Sequence, residues 1–319
     1  MKRIIPLTVA ACAVLLVFDA RAVQSGSGHY ISGQYTDFGS MPPTQPGLYL
    51  ANYFLDYDNG TFSGTQELPF GGVLAAGVTA NLQAEVPVGI YAYPFSFQNI
   101  TFSSGIAVPF VWVDVKANAT YNRNNIQISG NKEQSVSGLG DIQLMPIMAD
   151  WTNGDFKIGG MFNVWAPSGD YATGQLANQG LGYWTFEPML AFSWLSSKFG
   201  TEFTLYNAVD FNTENTDASY QSGDIYHVDA TLAQHLPAFG GILGAGASAF
   251  YLKQFTGDSG SGANLGSFEA ESYGVGPTIS YVHPIGKSTL IVDGSWLPQL
   301  HSDNTTKGDY FWVKLTLAF

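Results

Sequence analysis

The sequence predicts an all-β fold, a closed antiparallel transmembrane β-barrel of about twelve strands with short periplasmic turns and long external loops. Three observations carry that reading. Charged residues are only 12 % of the 319 residues, while aromatics reach 14 % and glycine 37 residues; soluble domains usually hold roughly 25 % charged residues. Beyond Val23 apolar residues alternate with period two, and no helical period persists. The connections between the alternating segments are by turns short and long. Composition also excludes partners. The formal net charge is −13, with 12 Lys+Arg against 25 Asp+Glu, so no basic patch exists to release counterions from a nucleic acid.

Element by element, the chain opens with Lys2 and Arg3, an apolar stretch from Ile4 to Phe18, and Ala20-Arg21-Ala22. Residues 1–22 read as a secretory signal peptide for Sec-type export, cleaved near Ala22 on the way to a bacterial outer membrane. A rival lipoprotein box at Val9-Ala10-Ala11-Cys12 has too short an apolar stretch before it. Cleavage removes Cys12, the one cysteine, and with it disulfides, thiolate catalysis and Cys-ligated metal. Residues 23–47 hold Ser25-Gly26-Ser27-Gly28, Met41-Pro42-Pro43 and Pro46-Gly47. This irregular segment is either a tether or a plug folded into the barrel. The barrel itself is expected over 48–319.

Strands are expected at 48–57, 78–93, 101–118, 142–151, 156–166, 185–194, 202–212, 224–235, 242–256, 270–282, 288–297 and 309–319. Pro109 interrupts the third, which calls for a bulge there. Short turns carry Asn153-Gly154, Phe239-Gly240 and Ile285-Gly286. Long external loops are expected at 58–77, 119–141, 167–184, 213–223, 257–268 and 298–308. Tyr91, Tyr93, Trp151 and Trp194 would form a lower aromatic girdle, and Trp165, Trp184 and Trp296 an upper one. The last strand is the clearest. Phe311, Val313, Leu315, Leu317 and Phe319 share one face, and the aromatic carboxy-terminus resembles the signal that barrel-assembly machinery recognises.

Charges are costly on a lipid face, so alternation assigns the polar set to the lumen. That set is Glu85 (with Asn81 and Gln83), Lys157, Asn163, Glu187, Glu202, Asp210, His227, Asp229, Asp293 and Lys314. His227 and Asp229 point the same way along one strand, the spacing of an acid–base pair. A hydrolase also needs a nucleophile beside the imidazole. Ser222 falls in a loop, and neither a G-x-S-x-G elbow nor an H-E-x-x-H motif exists. No catalytic residue, metal or cofactor is therefore expected.

An ordered set of loop motifs runs through the chain: Gly138-Leu139-Gly140-Asp141, Ala166-Pro167-Ser168-Gly169-Asp170-Tyr171, Tyr183-Trp184, Phe211-Asn212-Thr213-Glu214-Asn215, Tyr220-Gln221-Ser222-Gly223-Asp224 and Gly257-Asp258-Ser259-Gly260. With His29-Tyr30 and Pro42-Pro43 upstream, this set resembles the transporter-like outer-membrane family named for the meta-cleavage pathway of phenol degradation. The resemblance implies an outer-membrane barrel in contact with outer-membrane lipids. It implies a channel or passive transporter for small hydrophobic or aromatic compounds. It transfers no functional residue. The rivals are a barrel with a sealed lumen and a structural or surface-interaction role, and an outer-membrane hydrolase using His227.

Overall fold

The computed structural model describes residues 28–36, 38–62, 68–70, 73–123, 126–263 and 267–319. The expected signal peptide lies outside the described residues. Fifteen strand segments are present: β1 Gly47–Thr61, β2 Leu68–Phe70, β3 Val73–Phe97, β4 Ile100–Ala107, β5 Phe110–Arg123, β6 Ile126–Leu139, β7 Ile142–Asn153, β8 Phe156–Ala166, β9 Thr185–Leu195, β10 Thr201–Asn212, β11 Ile225–Ala238, β12 Gly241–Gln254, β13 Glu271–Ile285, β14 Ser288–Asp303 and β15 Lys307–Ala318. β4 and β5 are two halves of one wall strand, and β6 and β7 are halves of the next. β2 is a stub paired only with β3, so the wall has twelve antiparallel strands. β1 closes it, pairing with β15 on one side and β3 on the other. In the lower wall closure leaves no sheet edge, the condition for crossing hydrocarbon with strands.

The hairpins at one end are tight. Asn153 pairs Phe156, Ala238 pairs Gly241 and Ile285 pairs Ser288 across two-residue turns. Such turns need positive φ, supplied by Gly154 at 59°, Phe239 and Gly240 at 49° and 78°, and Gly286 at 63°. All long connections lie at the opposite, loop end.

The wall is creased where both split strands break. Pro109 has no N–H to give the ladder, and the backbone N–H of Gly140 donates to the Pro109 carbonyl at 2.8 Å. Below the crease β7 pairs with both β4 and β8; above it β6 pairs with β5 alone. A seam therefore opens between β6 and β8 in the upper wall. The 167–184 connection fills it. Gln134 Nε2 donates to Gln175 Oε1 at 3.0 Å, and the Leu176 N–H to Gln134 Oε1 at 2.7 Å.

Three expectations need correction. Neither the 119–141 stretch nor most of 298–308 is loop: β5 runs to Arg123 and β6 starts at Ile126, and β14 runs to Asp303 and β15 starts at Lys307. Beyond the apolar belt, strands keep their hydrogen bonds without a lipid-facing apolar row, so the alternation signal fades before the strand ends. Glu85, with Asn81 and Gln83, is on the outer face of β3. Glu85 there accepts a 2.9 Å bond from Asn52, while Ala84 and Val88 are buried inside. The physical reason is that the lumen wall at β3 is apolar, so polarity misassigns its register. Trp165 is buried and stacks on His29 rather than joining a girdle. It shares parity with Asn163, which faces inward, and Trp184 and Trp296 do stand outside, 42 % and 44 % exposed.

Candidate functional site

Residues 28–36 and 38–44 run inside the barrel. Pro42 and Pro43 remove donors, and Gly33 takes a φ of 81°, so this stretch forms no strand and its backbone groups turn to the wall. Asp229 on β11 collects two of them and one side-chain hydroxyl. It accepts from the Tyr30 hydroxyl at 2.7 Å and from the N–H groups of Gly33 and Tyr35, each at 3.2 Å. Lys314 Nζ on β15 donates to the Gln34 carbonyl at 2.7 Å and Thr36 Oγ1 at 3.1 Å. Trp312 Nε1 donates to the Ser32 carbonyl at 3.0 Å. Glu202 accepts from the Phe38 N–H, and Lys157 donates to the Pro42 carbonyl. At the loop end His29 lies 2.9 Å from Asp141, whose carboxylate also accepts from Gly169 and Leu181 of the seam loop.

The wall behind this segment is polar and fully buried. His227 Nε2 on β11 lies 3.0 Å from Glu187 Oε2 on β9 and 3.4 Å from Asp210 Oδ1 on β10. The Tyr30 ring stacks on the His227 ring, centroids 3.6 Å apart. Asn163 donates to Glu187 at 2.5 Å and also to the Tyr35 hydroxyl. Lower down, His235 and Glu202 are 2.6 Å apart. No hydrogen bond joins Ser222 to His227 among the described residues.

The opposite wall is apolar. Tyr53 and Leu55 of β1, Leu82 and Val86 of β3, Val111 and Val113 of β5, and Tyr310 and Trp312 of β15 line a cavity of about 370 Å³. Ile31, Ser32 and Gln34 form its inner side, and Tyr171 and residues 175–181 of the seam loop close its upper end. Burial pushes the Tyr171 phenol up to about 12, so it is a neutral donor at the mouth. Below the cavity five methionines meet: Met41 of the inner segment and Met145, Met148, Met161 and Met189 of the wall, packed with Tyr35 and Tyr206.

Glu187, Glu202, Asp210, His227, Asp229, Asn163, Asp293 and Lys314 are thus inside and buried, Lys157 is inside and partly covered, and Glu85 is outside. Asp293 pairs in register with Lys314. Of these, Glu187, Asp210 and His227 converge on one point; Asp293 and Lys157 lie elsewhere. Phe311, Val313, Leu315 and Phe319 are exposed on the outer face of β15, and Leu317 shares that parity. Sequence reasoning missed the apolar wall and the methionine cluster. The runs Leu82-x-Ala84-x-Val86-x-Val88 and Val111-x-Val113-x-Val115 carried the signal.

The profile of the family described as the MetA-pathway of phenol degradation matches residues 58–315. Among solved structures, the chain is similar to an outer membrane channel from Pseudomonas putida F1. The identity is 12 % and the TM-score 0.64, over 91 % of this chain and 100 % of that one. It is also similar to the β domain of a Bordetella autotransporter, at 12 % identity and a TM-score of 0.49, over 86 % and 100 % of the two chains. No curated protein matches it.

Proposed function

Since the chain belongs to the family named for the MetA-pathway of phenol degradation, we propose that it is a bacterial outer-membrane channel that passes small, neutral hydrophobic or aromatic compounds without catalysis. The single observation that carries this reading is the division of the lumen into two walls. The polar wall is occupied by the inner segment, whose donors and acceptors it matches. The apolar wall is left facing a cavity of about 370 Å³, the size of a small-ligand site with a few polar groups at its rim. A sealed structural barrel has no need of an apolar recess inside a polar one.

Several features support the choice of solute. Inward acids (Glu187, Glu202, Asp210, Asp229, Asp293) outnumber the inward bases Lys157 and Lys314, so organic anions meet a repulsive field. The methionines beneath the cavity are unbranched and adaptable, able to repack around a passing apolar body. A solute would come in from the loop end, rest against Trp312 and Tyr310, and leave downward past Met145 or sideways at the β6–β8 seam. The hydrolase reading lacks support: His227 is engaged by two carboxylates and an aromatic ring, with no nucleophile bonded to it. We place the outward row of β15 as the feature that barrel-assembly machinery recognises, with outer-membrane lipids around the belt.

Binding tests the reading directly. Neutral monocyclic arenes should quench the fluorescence of the detergent-solubilised barrel and protect it against heat, and aromatic carboxylates of equal size should do neither. Trp312→Ala should weaken the neutral ligands. Equal binding of carboxylates, or no binding of either class, counts against the cavity as the solute site.

A further inference from the structure

We propose that Glu187, Asp210 and His227 form a binding site for one divalent transition-metal ion in the barrel wall. The three side chains come from the adjacent strands β9, β10 and β11. Register brings them together: Ala208 pairs Met189 and Phe211 pairs Phe186, which sets Glu187 beside Asp210, while Ala208 pairs His227 on the other side. The His227 Nε2–Glu187 Oε2 and Nε2–Asp210 Oδ1 distances are 3.0 and 3.4 Å, and all three donor atoms lie within 4.8 Å of one another. Ligands about 2.1 Å from a common ion stand roughly 3.0–3.4 Å apart in octahedral or tetrahedral order. The set therefore needs little movement to close on an ion.

A second observation points to a ligand. Asp210 is 0 % exposed, yet its Oδ2 has no hydrogen-bond partner among the described residues, and its Oδ1 is approached only by His227. Its one ion-pair contact among the described residues is the 3.4 Å approach to His227. Buried carboxylates are normally satisfied by donors, as Asp229 is two positions beyond His227. Glu187, by contrast, already accepts from Asn163 through its other oxygen, an arrangement that orients a ligand and keeps Oε2 turned towards His227 Nε2. Charge agrees. Two carboxylates with one imidazolium leave a net negative charge in the wall, whereas two carboxylates, a neutral imidazole and a dication sum to zero. One nitrogen and two oxygens suit zinc or a neighbouring first-row ion and exclude calcium, which takes six to eight oxygens.

The ion would act structurally. It would tie three strands together and draw charge from the His227 ring, strengthening the stack with Tyr30 that holds the inner segment. Nδ1 of His227, which has no partner among the described residues, would carry the imidazole proton.

The test uses the full barrel, refolded with Zn²⁺ and separately with Co²⁺, then freed of loose metal by gel filtration. The expected result is about one ion per chain by mass spectrometry. Co²⁺-loaded protein should show visible ligand-field bands of a low-coordinate site, and X-ray absorption should show nitrogen and oxygen neighbours at about 2.1 Å. Asp210→Asn and His227→Gln should lose the ion, whereas His283→Gln and His301→Gln, remote from the cluster, should keep it. Folding of each variant is checked by heat-modifiable gel mobility. If the Asp210 and His227 variants do not fold, the spectra of the wild-type Co²⁺ form decide. Folded wild type without retained ion, or an ion equally retained by Asp210→Asn and His227→Gln, overturns the site, as does a six-oxygen spectrum.

Discussion

Asp229 is the residue on which the inner segment is hung, because three donors from Tyr30, Gly33 and Tyr35 converge on its two oxygens. Charge-assisted bonds of this kind contribute about 1.5–3 kcal/mol each at most. Asp229→Ala should therefore free the segment while the wall stays closed, and single-channel conductance should rise several-fold; unchanged conductance would mean the segment is held elsewhere. Facing is tested by a second pair. Leu205→Arg, on the outer face of β10, should cost roughly 2–4 kcal/mol near mid-depth. Glu85→Leu should be nearly neutral, within about 0.5 kcal/mol. Urea titration of folded barrel in vesicles reads both, and a large cost at Glu85 would return that residue to the lumen. Glu85 also shows what sequence could and could not yield. On β10 the inward Glu202, Thr204 and Asp210 alternate with outward Phe203 and Phe211, and the faces were legible. On β3 the arrangement is inverted, with Ala84, Val86 and Val88 facing an apolar recess inside and Asn81, Gln83 and Glu85 standing outside. There polarity alone points the wrong way.

At the scale of elements, loop tethering and the seam are the quantities to probe. Asp258 ties the 257–268 connection to its neighbours, accepting from Tyr220 Oη, from the Gly223 N–H at 3.0 Å and from Gln254 Nε2 at 2.7 Å. Desolvation nonetheless raises its carboxyl above the usual range. A raised folded-state value adds stability that is full below the unfolded pKa and is lost as pH rises through the folded one. Amides near Gly223 and Ser259 should exchange more slowly, after correction for intrinsic rates, below the ordinary carboxylate range at about pH 3.5 than at about pH 7. Asp258→Asn should flatten that dependence, and equal pH dependence in the variant would remove Asp258 as the cause. The seam is open to covalent control because Cys12 is the only native cysteine. A Gln134→Cys, Gln175→Cys pair, its thiols joined by a cleavable bifunctional reagent that spans the length of the two glutamine side chains meeting there at 3.0 Å, should lock the loop onto β6. Cross-linking should slow solute passage several-fold and cleavage of the linker restore it, if solutes use the seam. Unaltered flux would send them through the lumen. The crease was half legible. Pro109 marked one break, but its partner at Gly140-Asp141 and the strands above had no hydropathy signal, since strands outside the membrane need none.

For the molecule as a whole, twelve wall strands and their order were readable because lipid imposes alternation and closure together. The metal-ligand set was not readable, since its members sit on three strands with no fixed spacing between them and only register joins them. Closure also gives the carboxy-terminus its weight. The Phe319 N–H donates to the Leu48 carbonyl at 3.0 Å, beside the β1–β15 join. Deleting Phe319 should reduce folded, membrane-inserted protein without blocking export, measured by fractionation and heat-modifiable mobility; normal insertion would remove the terminal strand as the assembly signal. The central claim, selective passage of neutral hydrophobic solutes, is tested most directly by flux into proteoliposomes carrying the wild-type barrel. Neutral aromatics should enter faster than into protein-free vesicles and faster than aromatic carboxylates of the same size. Flux no greater than in protein-free vesicles, or a preference for the carboxylates, would contradict it.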